Sequence, residues 1–427
     1  MLAFDPSADR YDPSAPGAAW SGGQWSVARF VLGAWLALRL AALLPDWRHH
    51  FGSGRLFDFH EGRTLLGLLP NLFAWIDSPA IAAALVGVGV GAALLLALGW
   101  WARTAALVVA YLVPCLAAHN PLLSLPAAPW LALLLLGFAT VPKEPYLGLA
   151  ARGRVDPDGG WRLPQQTFRL FWLLLVAGCA VTLVERLAAA HWRNGDALAQ
   201  LSEMPGSLVA WLAERGVAAP SALLRPIAWL ALAADAALVA LIWQVKWQRF
   251  TWLAALATRL LVVLLGAGGA RDEALLLIGL FAFDPGWLPA PPPTPRDHLF
   301  YDGSCGLCHR FVRFVLAEDR PTGFWFSPLQ GAAIAELVDE PTRRSLPDSV
   351  VVRRADGTLL TKSSAAAAVL ARLGGWWRVA AALLRIVPRP LRDLGYDAMA
   401  KLRKRLFAAP SAACPLLPPA LRARFLP

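Results

Sequence analysis

Charge is scarce in this sequence: of 427 residues only 16% are Asp, Glu, Lys or Arg, whereas 57% are hydrophobic and the mean hydropathy is +0.49. So little charge excludes a wholly soluble chain, in which about one residue in four is charged. Cysteine is scarce too. Five cysteines, two of them (Cys115 and Cys179) inside apolar runs, do not make a disulfide framework, and those two read as small apolar packing residues. The first 25 residues are polar and lack a basic stretch followed by a short apolar core, so a cleaved signal peptide is not expected. What is abundant is tryptophan, with 20 residues, a side chain that favours the membrane–water interface.

Apolar windows long enough, or nearly so, to cross a bilayer fall at about 26–44, 79–101, 103–118, 127–142, 167–189, 224–243, 250–268 and 272–288. They predict an all-α transmembrane bundle of about eight helices over residues 1–288. Lys143, Arg152, Arg154, Arg162 and Arg169 lie between the fourth and fifth windows, whereas the 119–127 loop has no Lys or Arg. Positive-inside bias then puts both termini in the cytoplasm, although Arg48, Arg55 and Arg63 fall on the opposite side. Within the bundle, Asp235 and Arg259 each lie twelve residues from Trp247 in a helical turn, and so at one depth. An isolated charge in hydrocarbon is costly, so this intramembrane polar pair is expected to meet, either as a structural lock or around a functional cavity. Arg39 can snorkel or join the pair. Glu185 and Arg186, near a helix end, are expected to be exposed. His49, His50, His60 and Glu61 match no ligand spacing, and no metal site is expected there.

A stiff Pro-rich linker at 289–296 marks the boundary of a third region, 297–427; residues 296–427 carry 20 Lys+Arg against 11 Asp+Glu. Lys401, Arg403, Lys404 and Arg405 alternate with Leu402, Leu406 and Phe407. This basic amphipathic helix suits an anionic lipid surface or a solvated face; no interleaved stacking aromatics point to nucleic acid. The stretch 298–309, H-L-F-Y-D-G-S-C-G-L-C-H, holds two cysteines three apart between an apolar strand-like run and a helical one. A helix N-terminus favours the thiolate, so Cys305 is expected to be the exposed attacking thiol and Cys308 the resolving one, with Asp302 as a nearby proton acceptor. Half of a zinc site is the alternative. Zinc needs four ligands, and only Cys414, His298 and His309 are at hand in this region.

The Y-D-G-S-C-G-L-C run, F-x-F-x-x-L-Q at 324–330 and D-S-V-V-V with D-G at 348–357 resemble the DCC family of thiol-disulfide oxidoreductases. Its Asp-x-x-Cys-x-x-Cys signature falls on Asp302, Cys305 and Cys308. The resemblance implies an α/β thioredoxin-like domain in which Tyr301, Gly303, Ser304 and Pro347 border the dithiol on the substrate side. The residues read the same way: strand 298–302, helix 305–317, strand 323–327, helix 330–338, a hairpin pairing 349–354 with 358–361, and helix 364–373.

Residues 20–288 are similar to the HTTM domain shared with vitamin K-dependent gamma-carboxylases, on W-S-V-A-R-F-V-L-G, the 99–103 turn, H-N-P-L at 119–122 and the 130–142 helix. That resemblance implies a lipid- or quinone-sized cavity. It does not extend to carboxylation, because the only lysines before the linker, Lys143 and Lys246, match no catalytic context. The expectation is a membrane-anchored thiol-disulfide oxidoreductase of the protein-disulfide reductase type, in a bacterial inner (plasma) membrane with the dithiol domain in the cytoplasm. Its expected partners are the bilayer and a protein or small-molecule disulfide, without nucleic acid; beyond the dithiol no cofactor is expected, and a quinone stays open. Two alternatives remain: a transporter or lipid- or quinone-modifying enzyme with the dithiol as redox switch, and a C-terminal domain that only binds a partner or zinc.

Overall fold

The computed structural model describes residues 19–51, 63–64, 69–76, 78–120, 128–202, 208–216, 221–265, 270–289, 295–320, 322–347, 349–406 and 417–427. Arg55, His60, Glu61, most of the linker, Asp348, Phe407 and Cys414 lie outside them. Two compact units result, and neither is continuous in sequence. One takes Ala28–Lys143 and Leu163–Phe283, the other Met1–Val27, Glu144–Arg162 and Asp284–Pro427.

The first unit is helical: most of α1 (Gly22–Ala41), then α2 (Pro79–Leu98), α3 (Ala102–His119), α4 (Ala128–Gly137), α5 (Gln165–Ala188), α6 (Ser221–Leu241), α7 (Val245–Leu264) and α8 (Ala270–Ala282). A helix rises about 1.5 Å per residue, so some 20 apolar residues are needed to cross the hydrocarbon. Among the described residues, four helices meet that demand by length and composition: α2, α3, α5 and Leu224–Leu241 of α6. The other expected windows fall on helices that do not. The α4 and α8 helices have 10 and 13 residues, and α1 and α7 carry Arg29 and Arg39, and Lys246, Arg249 and Arg259. Exposed tryptophans gather at the helix turns, Trp100 and Trp101 after α2 and Trp243 and Trp247 after α6, as an interfacial ring would. Gly33 lets two helices meet closely. A Cβ there would lie 2.5 Å from the Ala97 nitrogen and 2.8 Å from the Ala93 carbonyl oxygen of α2.

The second unit is built on a four-stranded mixed sheet. Strand β1 (Asp297–Tyr301) leads into α9 (Gly306–Glu318) and β2 (Phe324–Pro328), followed by α10 (Ala332–Leu337), α11 (Glu340–Ser345), the hairpin β3 (Val351–Arg353) and β4 (Leu359–Thr361), and α12 (Lys362–Leu373). Two further helices, α13 (Gly375–Ile386) and α14 (Arg389–Leu406), follow. The order across the sheet is β2-β1-β3-β4, with β1 and β2 parallel and β3 antiparallel to both neighbours. Both faces are covered, so β1 buries successive residues instead of alternating them. Leu299, Tyr301, Phe324, Phe326 and Val352 pack with Val312, Val315 and Leu316 of α9 and Ala365 and Val369 of α12, whereas Phe300 and Val351 pack with Ile334 on the other face. Along α9 the buried residues Cys308, Val312, Val315 and Leu316 recur at helical spacing, which seats the dithiol helix on the sheet. The edge of β2 is closed by residues 424–426: the Phe326 N–H donates to the Arg424 carbonyl at 3.0 Å, and the Phe326 carbonyl accepts from the Leu426 N–H at 2.8 Å.

Two buried carboxylates end α9. Glu318 accepts from the Ser21 hydroxyl, the Gly23 N–H (2.9 Å) and the Trp377 indole N–H (2.6 Å), all within this unit. Asp319 accepts from the N–H groups of Gly323 (2.9 Å) and Phe324 (3.2 Å) and from Arg424. Burial pushes the Glu318 carboxyl above the usual carboxylate range. The folded chain then holds this proton more tightly than the unfolded one, so the linked stability is present in acid and is lost as pH rises through the folded value. Glu318→Gln is expected to flatten that slope, measured by thermal unfolding of the full chain between about pH 4 and 8. Glu318→Ala is expected to cost about 1–3 kcal/mol by orphaning three donors. An unchanged slope in Glu318→Gln would overturn the assignment.

Candidate functional site

The strand–turn–helix passage from β1 to α9 places the two cysteines. Asp302 ends the strand and shapes the turn: its Oδ1 accepts from the Ser304 N–H at 2.9 Å and the Ser304 hydroxyl at 2.7 Å, and its carbonyl accepts from Cys305 N–H at 3.2 Å. Cys305 then occupies the N-cap position of α9 with extended backbone (φ −97°, ψ 116°), and its Sγ accepts from the Cys308 N–H at 3.5 Å. A capping residue normally presents an oxygen to these first-turn N–H groups. Here a sulfur stands in its place. The two thiols differ in access. Neither is in a disulfide, but Cys305 is partly exposed whereas Cys308 is 3% exposed and part of the sheet core.

Around this pair, the His309 ring is held by its Nε2, 2.8 Å from the Gly303 carbonyl, and packs edge-on to Tyr301 with ring centroids 5.7 Å apart. A protonated Nε2 makes that contact a hydrogen bond. The Gly303 N–H faces Gln330 Oε1 at 3.5 Å. Ser304 is exposed and Tyr301 is buried. Pro347 stands at the entrance to β3, where its carbonyl accepts from Ser349 N–H at 2.7 Å. Three residues on, Val350 lines an apolar cavity of about 190 Å³ together with Leu307, Cys308 and Phe311 of α9, Ala366 of α12, and Tyr396, Met399 and Ala400 of α14. The Tyr396 hydroxyl accepts the Val350 N–H at 3.0 Å. Helix α14 is thus part of the dithiol's surroundings. The sequence signal was the i, i+3, i+4 set Tyr396, Met399 and Ala400, which the basic cluster at 401–405 hides. Among the described residues no group of three or more His, Cys, Asp or Glu side chains is gathered for a metal ion.

In the helical unit, Arg259 Nη2 lies 2.6 Å from Asp235 Oδ1, and the pair is part of a quartet. Asp272 Oδ1 bridges Arg259 (2.7 Å) and Arg186 (2.8 Å), and Arg186 closes the ring on Asp235 at 3.1 Å. All four side chains are at most 8% exposed, and Cys179 Sγ takes a further bond from Arg259 at 3.2 Å. Arg186 therefore corrects the expectation of exposure at a helix end: the last turn of α5 packs against α6 and α8, and the guanidinium lies 4.2 Å from the Trp192 ring centre. Glu185 is exposed and Arg39 pairs with Glu273 at 2.7 Å.

The geometry predicts unequal thiol reactivity. In the native full chain iodoacetamide is expected to modify Cys305 first, and Cys308, Cys115 and Cys179 after denaturation; peptide mass spectrometry reads the order, and native labelling of Cys308 at the rate of Cys305 would contradict it.

Comparison with known proteins places this region in a family. Residues 299–409 match the family model of DCC1-like thiol-disulfide oxidoreductases. The chain is 37% identical over 136 residues to "Uncharacterized protein YuxK" of Bacillus subtilis (strain 168), an overlap covering 31% of this chain and 96% of that protein. No solved structure matches. Through this C-terminal region, which carries both cysteines at a helix N-terminus, the chain belongs to the DCC1-like thiol-disulfide oxidoreductase family.

Proposed function

We propose that the protein is a membrane-anchored thiol-disulfide oxidoreductase. The observation that carries this reading is the cap itself: a partly exposed Cys305 sulfur on the first-turn N–H of a helix, with Cys308 one turn inside. The Cys305 thiolate attacks a substrate disulfide, forms a mixed disulfide and releases one substrate thiolate. Cys308, deprotonated in its turn, attacks Cys305 Sγ, closes the Cys305–Cys308 disulfide and releases the second substrate thiol. The substrate is reduced by two electrons, and an external dithiol restores the pair. Asp302 is proposed to accept the Cys308 proton, and Tyr301, Gly303, Ser304 and Pro347 to border the substrate. The sheet order, with β3 reversed against parallel neighbours and C-x-x-C after the first strand, supports a thioredoxin-like reading. Four bilayer-length helices support the anchor, and the basic 143–169 segment supports a cytoplasmic dithiol.

The resemblance to HTTM bundles motivates a membrane partner. A quinone is the proposed one, since closing the disulfide yields the two electrons and two protons that make a quinol; unchanged quinone turnover in membranes of a Cys305→Ser, Cys308→Ser variant would count against it.

The buried quartet favours one further reading, a bundle that itself binds or moves a polar substrate under redox control. As a structural lock, the quartet loses about 3–5 kcal/mol on Asp235→Asn, which unpairs a buried charge, and recovers when all four residues are replaced by apolar ones of similar volume. Recovered stability with lost activity would identify the quartet as functional.

The reduction potential of Cys305/Cys308 tests the main reading. The full chain is the right sample, because Ser21 and Gly23 complete the dithiol unit. Thiol trapping across glutathione buffers is expected to give a reversible two-electron couple between about −120 and −270 mV. Cys308→Ser is expected to accumulate a mixed disulfide and Cys305→Ser none. No disulfide in any buffer would remove the catalytic reading.

A further inference from the structure

Among the described residues of the dithiol unit, exposed apolar side chains gather far along the chain from the cysteines, where α13 turns into α14. Helix α13 buries Gly375 and Ala381 and turns a different stripe outward. Leu383 is 60% exposed and Ile386 76%, and beyond the turn Leu391 and Leu394 are 60% and 67% exposed, with Val387 between them. Isolated apolar residues on a surface need no explanation, but a contiguous ridge does.

A second feature adjoins the ridge. Arg378, Ala382 and Arg385 form the neighbouring stripe of α13, one residue around the helix from Leu383 and Ile386, and line an open cleft of about 810 Å³ with Arg354, Arg372 and Asp297. Asp356 is the other acid of its walls. Both acids are engaged, Asp297 with Arg372 at 3.3 Å and with the Ala355 N–H at 3.0 Å, Asp356 with the Thr358 N–H at 2.8 Å. Arg378 holds the Pro289 carbonyl at 2.7 Å, and Arg385 reaches the Ala367 carbonyl only at 3.4 Å. Four guanidiniums therefore dominate the cleft. Between 375 and 406 the chain has eight Lys and Arg against two Asp, and both Asp are paired, Asp393 with Ser363 and Arg389, Asp397 with Lys362.

We infer that this corner seats on an anionic phospholipid surface, with the Leu383–Ile386–Leu391–Leu394 ridge among the acyl chains and the arginine cleft on headgroup phosphates. The charge pattern selects this occupant. Guanidiniums pair with phosphate oxygens in bidentate fashion, an apolar stripe flanked by cations is the form of an interfacial helix, and the same chain supplies helices of bilayer length. The inference does not depend on the dithiol, and its test dispenses with it.

A nitroxide on Ile386→Cys, in a full chain whose Cys305, Cys308 and Cys414 are serine, reports immersion by power saturation with oxygen against a water-soluble nickel chelate. The chain is reconstituted in nanodiscs of phosphatidylcholine alone or mixed with phosphatidylglycerol. The expected result is oxygen contact and nickel exclusion in the mixed lipid, and nickel contact in phosphatidylcholine. Arg378→Gln with Arg385→Gln is expected to return the label to water, and the corresponding Lys variants to keep it in lipid. Equal nickel contact in both lipids overturns the inference, as does equal immersion in both. Nickel exclusion accompanied by spin–spin broadening also overturns it, because a second copy then covers the face.

Discussion

The end of the dithiol helix sets the constraint from which the rest of its unit follows. Carboxylates belong at helix N-termini, where the dipole is positive, yet Glu318 and Asp319 close the C-terminus of α9 and are buried there. Such groups persist only with a full set of donors, and no neighbouring stretch of chain can supply them all. Glu318 draws its donors from Ser21, Gly23 and Trp377, and Asp319 draws its own from Gly323, Phe324 and Arg424. The N-terminal segment, the start of β2, the helix after α12 and the last strand-like residues are thereby tied to one point.

The other end of the same helix carries the two cysteines. Cys305 stands where a serine or aspartate would ordinarily cap, so the N–H groups that would satisfy an oxygen instead face a sulfur. The pair is made unequal by packing alone: Cys308 is a core residue between the sheet and α14, and Cys305 is not. An attacking thiol and a resolving thiol need this asymmetry. One helix thus carries buried carboxylates at its end and the proposed dithiol at its beginning.

The helical unit answers the cost of charge in an apolar setting differently. Its Arg186, Arg259, Asp235 and Asp272 form a neutral, mutually bridged set contributed by α5, α6, α7 and α8, so that each charge has at least two opposite partners. A single pair would have left hydrogen-bonding capacity unfilled on both sides. Four helices, each contributing one member of the set, are held in register by a network that no apolar contact could specify as sharply.

Much of this was legible in order along the chain. Low charge and long apolar runs announced helices for a bilayer, and the C-x-x-C after an apolar strand placed the dithiol at a helix start, because local periodicity and helix-end electrostatics act within a few residues. The same locality explains what could not be read. Apolar windows such as 127–142 and 272–288 look alike whether a helix spans or stops short, and only the folded chain shows 10 and 13 helical residues there. Arg186 looked like a helix-end charge until α5 and α8 packed together, and Tyr396 and Met399 joined the Cys308 cavity through a fold that brings residue 396 against residue 350. By itself the sequence determined which segments are helical, which are apolar and where the thiols sit. Only tertiary structure decided which buried charges share partners and what surrounds the dithiol, because those contacts join residues far apart in the chain and local pattern carries no record of them.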